Sequence, residues 1–137
     1  MITIKNEHII AKFNELGAEL KSLIYDNKEY IWNGDEKHWS YSCPILFPIC
    51  SGLKDNEYIL DHKKYTLTKH GFARQSMFHI ESLNDDSVTF LLCSNEKTKE
   101  SFPFDFELRV TYTLTDKMLN VTYNVKNLTD GSMYFSI

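Results

Sequence analysis

Helix signal is almost missing from this 137-residue chain. Only Asn95–Glu100, with Asn95 as a cap and Pro103 beyond it, and Asp35–Trp39 read as one or two helical turns. Neither is long enough to pack as a core element. No apolar run nears the roughly 20 residues that a membrane-crossing helix needs. Basic charge is not in excess either: 15 Lys and Arg against 19 Asp and Glu leave a net charge of −4. The lysines are scattered, so the chain carries no electrostatic footprint for nucleic acid or for an anionic membrane. The first residues, Met1-Ile2-Thr3-Ile4-Lys5-Asn6, lack the basic-then-apolar layout of a secretory signal, which points to the cytoplasm. Cysteine is sparse and odd in number. Cys43, Cys50 and Cys93 form no Cys-x-x-Cys pair, which predicts reduced, buried thiols rather than a disulfide framework. His38, His62, His70 and His79 have no spacing that assembles a zinc site. A Gly-rich phosphate loop, a Gly-x-Ser-x-Gly elbow, a Cys-His nucleophile pair and paired carboxylates for glycoside cleavage are all lacking.

What the chain does have is period-two alternation. Phe104, Phe106, Leu108, Val110, Tyr112 and Leu114 point one way, and Asp105, Glu107, Arg109, Thr111 and Thr113 the other. After a turn at Asp116-Lys117, Leu119, Val121, Tyr123 and Val125 resume the apolar face. This predicts a long antiparallel hairpin with one buried face. Further hairpins are expected around Asn84-Asp85-Asp86, between 77–83 and 88–93, and around Asp61-His62, between 57–60 and 64–67. Another is expected at Asp26-Asn27-Lys28, between 20–25 and 29–32. Ser132–Ile137 reads as the start of one more strand, cut short. The class is all-β and antiparallel, with turns at the spacing of a sandwich or barrel. The aromatic share of 14% suits strands.

Three stretches can carry chemistry. In Pro44–Leu53 an apolar run lies between prolines, which belong at a sheet edge or crossing; Ile45, Phe47 and Ile49 read as core, and Ser51–Asn56 as the polar exit. Trp32, Trp39 and Tyr41 cluster, and aromatic faces stack on the C–H faces of sugars, although rim or core packing is the plainer use of such rings. Thr68-Lys69-His70-Gly71-Phe72-Ala73-Arg74 sets a proton-transfer side chain and a forked cation around a glycine. Turns of this kind at the mouth of a sheet often build sites.

Taken in order, Gly17-Ala18-Glu19-Leu20-Lys21-Ser22-Leu23, Tyr30-Ile31-Trp32-Asn33-Gly34-Asp35, Pro44-Ile45-Leu46-Phe47-Pro48, His70-Gly71-Phe72-Ala73-Arg74 and Phe102-Pro103-Phe104 resemble the N-terminal half of the aldose 1-epimerase (galactose mutarotase-like) family, in its LacX-like bacterial branch. The resemblance implies a large antiparallel β-sandwich, a supersandwich, of which residues 1–137 form the N-terminal part of one domain, incomplete at the C-terminus. It implies interconversion of the α and β anomers of a free or phosphorylated hexose by acid/base ring opening, with no cofactor and no metal. The reaction needs an acid at the ring oxygen and a base at the anomeric hydroxyl.

By the same resemblance His70 and Arg74 bind the sugar, with Trp39 and Phe72 as aromatic walls. The general acid, a second histidine, and the general base, a glutamate, are expected beyond Ile137, so no catalytic residue is expected within the chain. Gly52 stands where many relatives carry an arginine, a departure that bears on recognition of a phosphorylated sugar. The alternative from a different class is a non-catalytic carbohydrate-binding sandwich. An aldose is the implied partner, with self-association through exposed sheet.

Overall fold

The computed structural model describes residues 1–137. Two antiparallel four-stranded meanders dominate it. The first consists of β1 (Ile2–Lys5), β2 (Ile9–Phe13), β3 (Leu20–Tyr25) and β4 (Lys28–Glu29), in the spatial order of the chain. A separate hairpin follows, β5 (Glu57–Leu60) with β6 (Lys63–Thr66). The second meander is β7 (His79–Leu83), β8 (Ser87–Cys93), β9 (Phe106–Thr115) and β10 (Met118–Asn127), ordered β10-β9-β8-β7. The one α-helix, α1 (Glu96–Ser101), links β8 to β9. Asn95 caps it, its side chain accepting from the Thr98 N–H while the Thr98 hydroxyl receives the Asn95 N–H. The expected sandwich class and its antiparallel strands are therefore present.

Alternation explains the register. Phe106, Leu108, Val110, Tyr112 and Leu114 are all buried, while Glu107 and Arg109 sit between them on the outer face. There the Arg109 guanidinium holds Glu81 through Nε and Nη2 at 2.7–3.0 Å and Glu107 through Nη1 at 2.7 Å. β10 pairs with β9 as expected, Leu119 opposite Leu114 and Val125 opposite Leu108. The two sheets meet through aromatic contacts, with Phe13 4.5 Å from Tyr112 and 5.9 Å from Phe90 between ring centroids. Twenty buried side chains form one continuous core across both sheets. Asp26-Asn27 and Asp61-His62 each place two residues at positive φ, the backbone of the tight hairpin turns whose twist matches that of the strands.

Four expectations need correction. The strand expected over 29–32 ends at Glu29, because the Glu29 carboxylate takes the neighbouring backbone donors. Its Oε1 accepts from the N–H groups of Leu23, Tyr30 and Ile31 at 2.8–3.0 Å. Ser132–Ile137 forms no ladder. It is tied to the Pro44–Leu53 crossing instead, by the Ser136 N–H to the Pro48 carbonyl at 2.9 Å and by the Phe135 ring against Phe47. The thiols are unpaired but not buried: Cys43 and Cys93 are exposed and Cys50 half-buried. Cys93 follows buried Leu92 on β8, so the two-residue period turns it outward. Finally, Val121 and Tyr123 remain 40% and 47% exposed on the core side of β10, because the facing sheet does not reach over that strand.

Glu29 supplies a pH prediction. Burial opposes its charge, but hydrogen bonds from Ser22, Leu23, Ile31 and Tyr30 outweigh it, and its carboxyl lies below the usual range. A lowered folded value stabilises the protein above the unfolded value of about 4.3 and ceases to do so as pH falls through the folded value. Tryptophan emission from the adjacent Trp32 should therefore shift as the pH drops below about 4. Glu29→Gln should remove that transition; an identical acid profile in the variant would refute it.

Candidate functional site

The crossing and the His-Gly turn build one another. The Phe47 carbonyl accepts from the Phe72 and Ala73 N–H groups at 3.0 and 3.1 Å, and the Ser51 carbonyl accepts from the His70 N–H at 3.0 Å. Phe47 itself is fully buried among Phe72, Phe102, Phe106 and Phe135. Phe47–Pro48 is a cis peptide bond. His70 and Gly71 both lie in the left-handed region, at φ 71° and 67°. For Gly71 this is a steric requirement as well as a conformational one. A Cβ there would collide with the Phe47 carbonyl and lie 2.7 Å from Pro48 Cδ.

Half-buried His70 places its Nδ1 2.6 Å from the Cys50 carbonyl oxygen. A carbonyl only accepts, so Nδ1 carries the proton, and Nε2 makes no hydrogen bond within the chain. The turn then continues as a single 3-10 turn over Ala73–Gln75, which folds Arg74 back on the start of the loop. Its Nη2 donates to the Lys69 carbonyl at 3.2 Å, one residue before His70. Its guanidinium carbon lies 5.0 Å from the centre of the Tyr41 ring. Its Nε is buried without a hydrogen-bond partner.

The aromatic loop arrives from the other side. Trp39 is 6.2 Å from Tyr41 between ring centroids, and the Trp32 indole N–H donates to the Trp39 carbonyl at 2.8 Å. Asp35–Trp39 forms the expected single turn, its Asp35 carbonyl accepting from both His38 and Trp39. Trp39 is half exposed, one ring removed from Arg74. Phe72, the other expected wall, is half-buried and packs against the core. Its ring stacks on Phe106 at 6.2 Å and packs edge-on against Phe47, so it anchors the loop in the core. Tyr41, noted only as part of the tryptophan cluster, holds the position against Arg74.

Two further residues join this assembly that motif reading passed over. Ser136 accepts the Cys50 N–H on its Oγ at 2.9 Å, next to the carbonyl that fixes His70. Glu19, within the Gly17–Leu23 motif, accepts the Ser42 and Cys43 N–H groups. The one acid of the Gly17–Leu23 motif was the available signal for Glu19; Ser136 offered none. Gly52, by contrast, is exposed, and a Cβ there would meet only the Lys69 stem at 3.7 Å, so space does not require glycine.

A cleft of about 590 Å³ lies elsewhere, between β5–β6 and the 129–134 segment. It contains neither His70 nor Arg74. The His70 loop is preferred as the site because it carries both an imidazole and a guanidinium.

The two sheets, the aromatic crossing and the His70 loop define a galactose mutarotase-like β-sandwich. The backbone superposes on a galactose mutarotase related enzyme from Lactobacillus acidophilus with a TM-score of 0.96 at 38% identity, covering 98% of this chain and 45% of that one. It matches a galactose mutarotase-like protein from Lactobacillus casei with a TM-score of 0.95 at 44% identity, covering 98% of this chain and 47% of that one. The chain belongs to the aldose 1-epimerase family, whose model matches residues 1–137. It is 37% identical over 143 residues to the chromosomal Protein LacX of Lactococcus lactis subsp. lactis, covering 99% of this chain and 48% of that protein. The chain thus spans about half the length of the curated relatives it matches. No helix is long and apolar enough to cross a membrane.

Proposed function

We propose that residues 1–137 are the sugar-binding N-terminal part of a single-domain aldose 1-epimerase-type isomerase acting on a hexose in the cytoplasm. The observation that carries this reading is the pairing of a His70 imidazole, proton-fixed at Nδ1 by the Cys50 carbonyl, with an Arg74 guanidinium on the same loop. Nε2 can then accept from a sugar hydroxyl. Arg74 donates to ring or hydroxyl oxygens, and Trp39 offers an aromatic face. Three unpaired thiols fit a reducing compartment.

In the reaction, an acid protonates the ring oxygen while a base takes the proton of the C1 hydroxyl, so that C1 becomes a carbonyl. The C1–O5 bond breaks, the C1–C2 bond rotates, and closure on the other face yields the second anomer. His70 hydrogen-bonds to a backbone carbonyl and to no carboxylate, which suits holding the sugar better than exchanging its protons. The same observation favours the second reading, a binding module without turnover. Under the first reading the acid and base are supplied beyond Ile137.

Polarimetry on freshly dissolved α-galactose, with light scattering alongside, tests this. The 137-residue chain should leave the mutarotation rate at its spontaneous value. It should also associate through the uncovered side of β10, and Val121→Thr with Tyr123→Thr should reduce that association. A monomeric chain that accelerates mutarotation would contradict both the placement of the catalytic pair and the open sheet.

A further inference from the structure

Glu19 is the one charged residue in the buried set, at 8% exposure. It touches none of the groups assigned to the sugar. Burying a carboxylate is costly unless hydrogen bonds satisfy it, so its surroundings indicate what it does. It ends a turn that lies between the two halves of the site. On one side the Gly17 N–H donates to the Ser76 carbonyl at 2.8 Å, and a Cβ on Gly17 would come within 2.9 Å of the Arg74 carbonyl. The backbone of the turn therefore lies flush against the loop that carries Arg74. From the core, the Tyr112 hydroxyl donates to the Ala18 carbonyl at 2.9 Å and fixes the turn in place. Ala18 is held there at φ 46°.

On the other side Glu19 Oε1 accepts the Ser42 N–H at 2.5 Å and the Cys43 N–H at 3.1 Å, while Oε2 lies 3.5 Å from Lys21 Nζ. Those two amides end the loop that carries Trp39 and Tyr41. Left without a partner, two inward-facing N–H groups would pull this loop toward solvent. The carboxylate instead seats it on the same rigid turn that backs Arg74. Tyr41 then lies against the guanidinium at 5.0 Å.

We infer that Glu19 is a positioning residue: its carboxylate clamps the Trp39–Tyr41 loop through the Ser42 and Cys43 amides and so sets the aromatic wall against Arg74. The consequence for sugar affinity rests on the reading above; the clamp itself does not. Both tryptophans of the chain, Trp32 and Trp39, lie on the segment leading into these amides. Their fluorescence therefore reports on this segment alone.

The test compares acrylamide quenching in the wild-type chain, Glu19→Gln, Glu19→Asp and Glu19→Ala, with far-UV circular dichroism as the measure of overall fold. Glutamine keeps an acceptor oxygen at the same reach and should restore wild-type quenching. Aspartate keeps the charge but is one methylene too short for both amides; it and alanine should raise the quenching constant about two-fold while the sheets persist. If Glu19→Ala does not fold, the glutamine and aspartate variants decide the matter between them. Equal quenching in all folded variants would overturn the clamp, as would a glutamine variant that behaves like the aspartate one. Galactose titration of the same proteins separates the two readings. A wild-type chain that binds no galactose refutes the sugar reading and leaves the quenching comparison standing. Galactose affinity that is unchanged when quenching doubles would overturn the link from clamp to site.

Discussion

Gly71→Ala is expected to be the most damaging single-atom-scale change in the chain. The left-handed backbone at φ 67° penalises any Cβ, and the new atom would collide with a carbonyl whose residue is fully buried. Phe47 is hemmed in by aromatic rings on several sides, and Pro48 is equally buried, so neither can step back. A left-handed alanine costs about 1–2 kcal/mol and overpacking about 1–3 kcal/mol more. Together these are a large share of the roughly 5–15 kcal/mol that holds a domain together. Any relaxation also breaks the Phe72 and Ala73 hydrogen bonds to the Phe47 carbonyl, which displaces His70. Gly52→Ala is the matched control, with only ordinary contact to the Lys69 stem, and should change stability by less than about 0.5 kcal/mol. Urea denaturation of the two variants should separate them clearly; equal midpoints would contradict the account of the turn.

The second large effect is on sugar binding. Alanine at His70 would confound loss of the imidazole with strain, because φ there is 71°. Asparagine tolerates left-handed backbone, so His70→Asn keeps the turn and removes the ring. Losing a well-made polar contact to a sugar hydroxyl costs about 1–3 kcal/mol, a fall in affinity of roughly 5- to 150-fold. Calorimetry with galactose should register that fall, with melting close to wild type. Unchanged affinity would remove His70 from the site. Arg74→Lys should weaken binding as well, since an ammonium cannot both donate to the Lys69 carbonyl and set a guanidinium over the Tyr41 ring.

Much of this architecture was legible in the sequence, because side-chain alternation is a direct imprint of burial. Phe106 to Leu114 show it without exception, and the positive-φ turns at Asp26-Asn27, Asp61-His62 and Asp116 fall where polar residues stood between strands. What failed were features decided by a single side chain or by what lies opposite. Glu29 ends a strand by capturing backbone donors, an event no pattern of apolar residues records. Ser132–Ile137 has strand composition but lies against Pro48 rather than in a sheet. Cys43 and Cys93 follow their local backbone geometry rather than the usual preference of thiols for the core.

The candidate site was legible in part. His70, Gly71 and Arg74 stood out because their chemistry is concentrated within five residues. For Phe72, a place in the motif does not show how much of the ring packs on the core, and the half-buried ring lies against Phe47 and Phe106. Tyr41 and Glu19 belong to loops distant in sequence, and only folding brings them to Arg74.

The central claim is that the His70–Arg74 loop and the Trp39 loop bind an aldose. Heteronuclear NMR of the chain titrated with galactose tests it most directly, using the Val121→Thr and Tyr123→Thr variant to limit association. Saturable shifts are expected at the amides of His70 to Arg74 and at the Trp39 indole, with His70→Asn moving them to roughly 5- to 150-fold higher galactose concentration. Shifts confined to the cleft at Tyr65 and Tyr134, or no saturable shift anywhere, would contradict it.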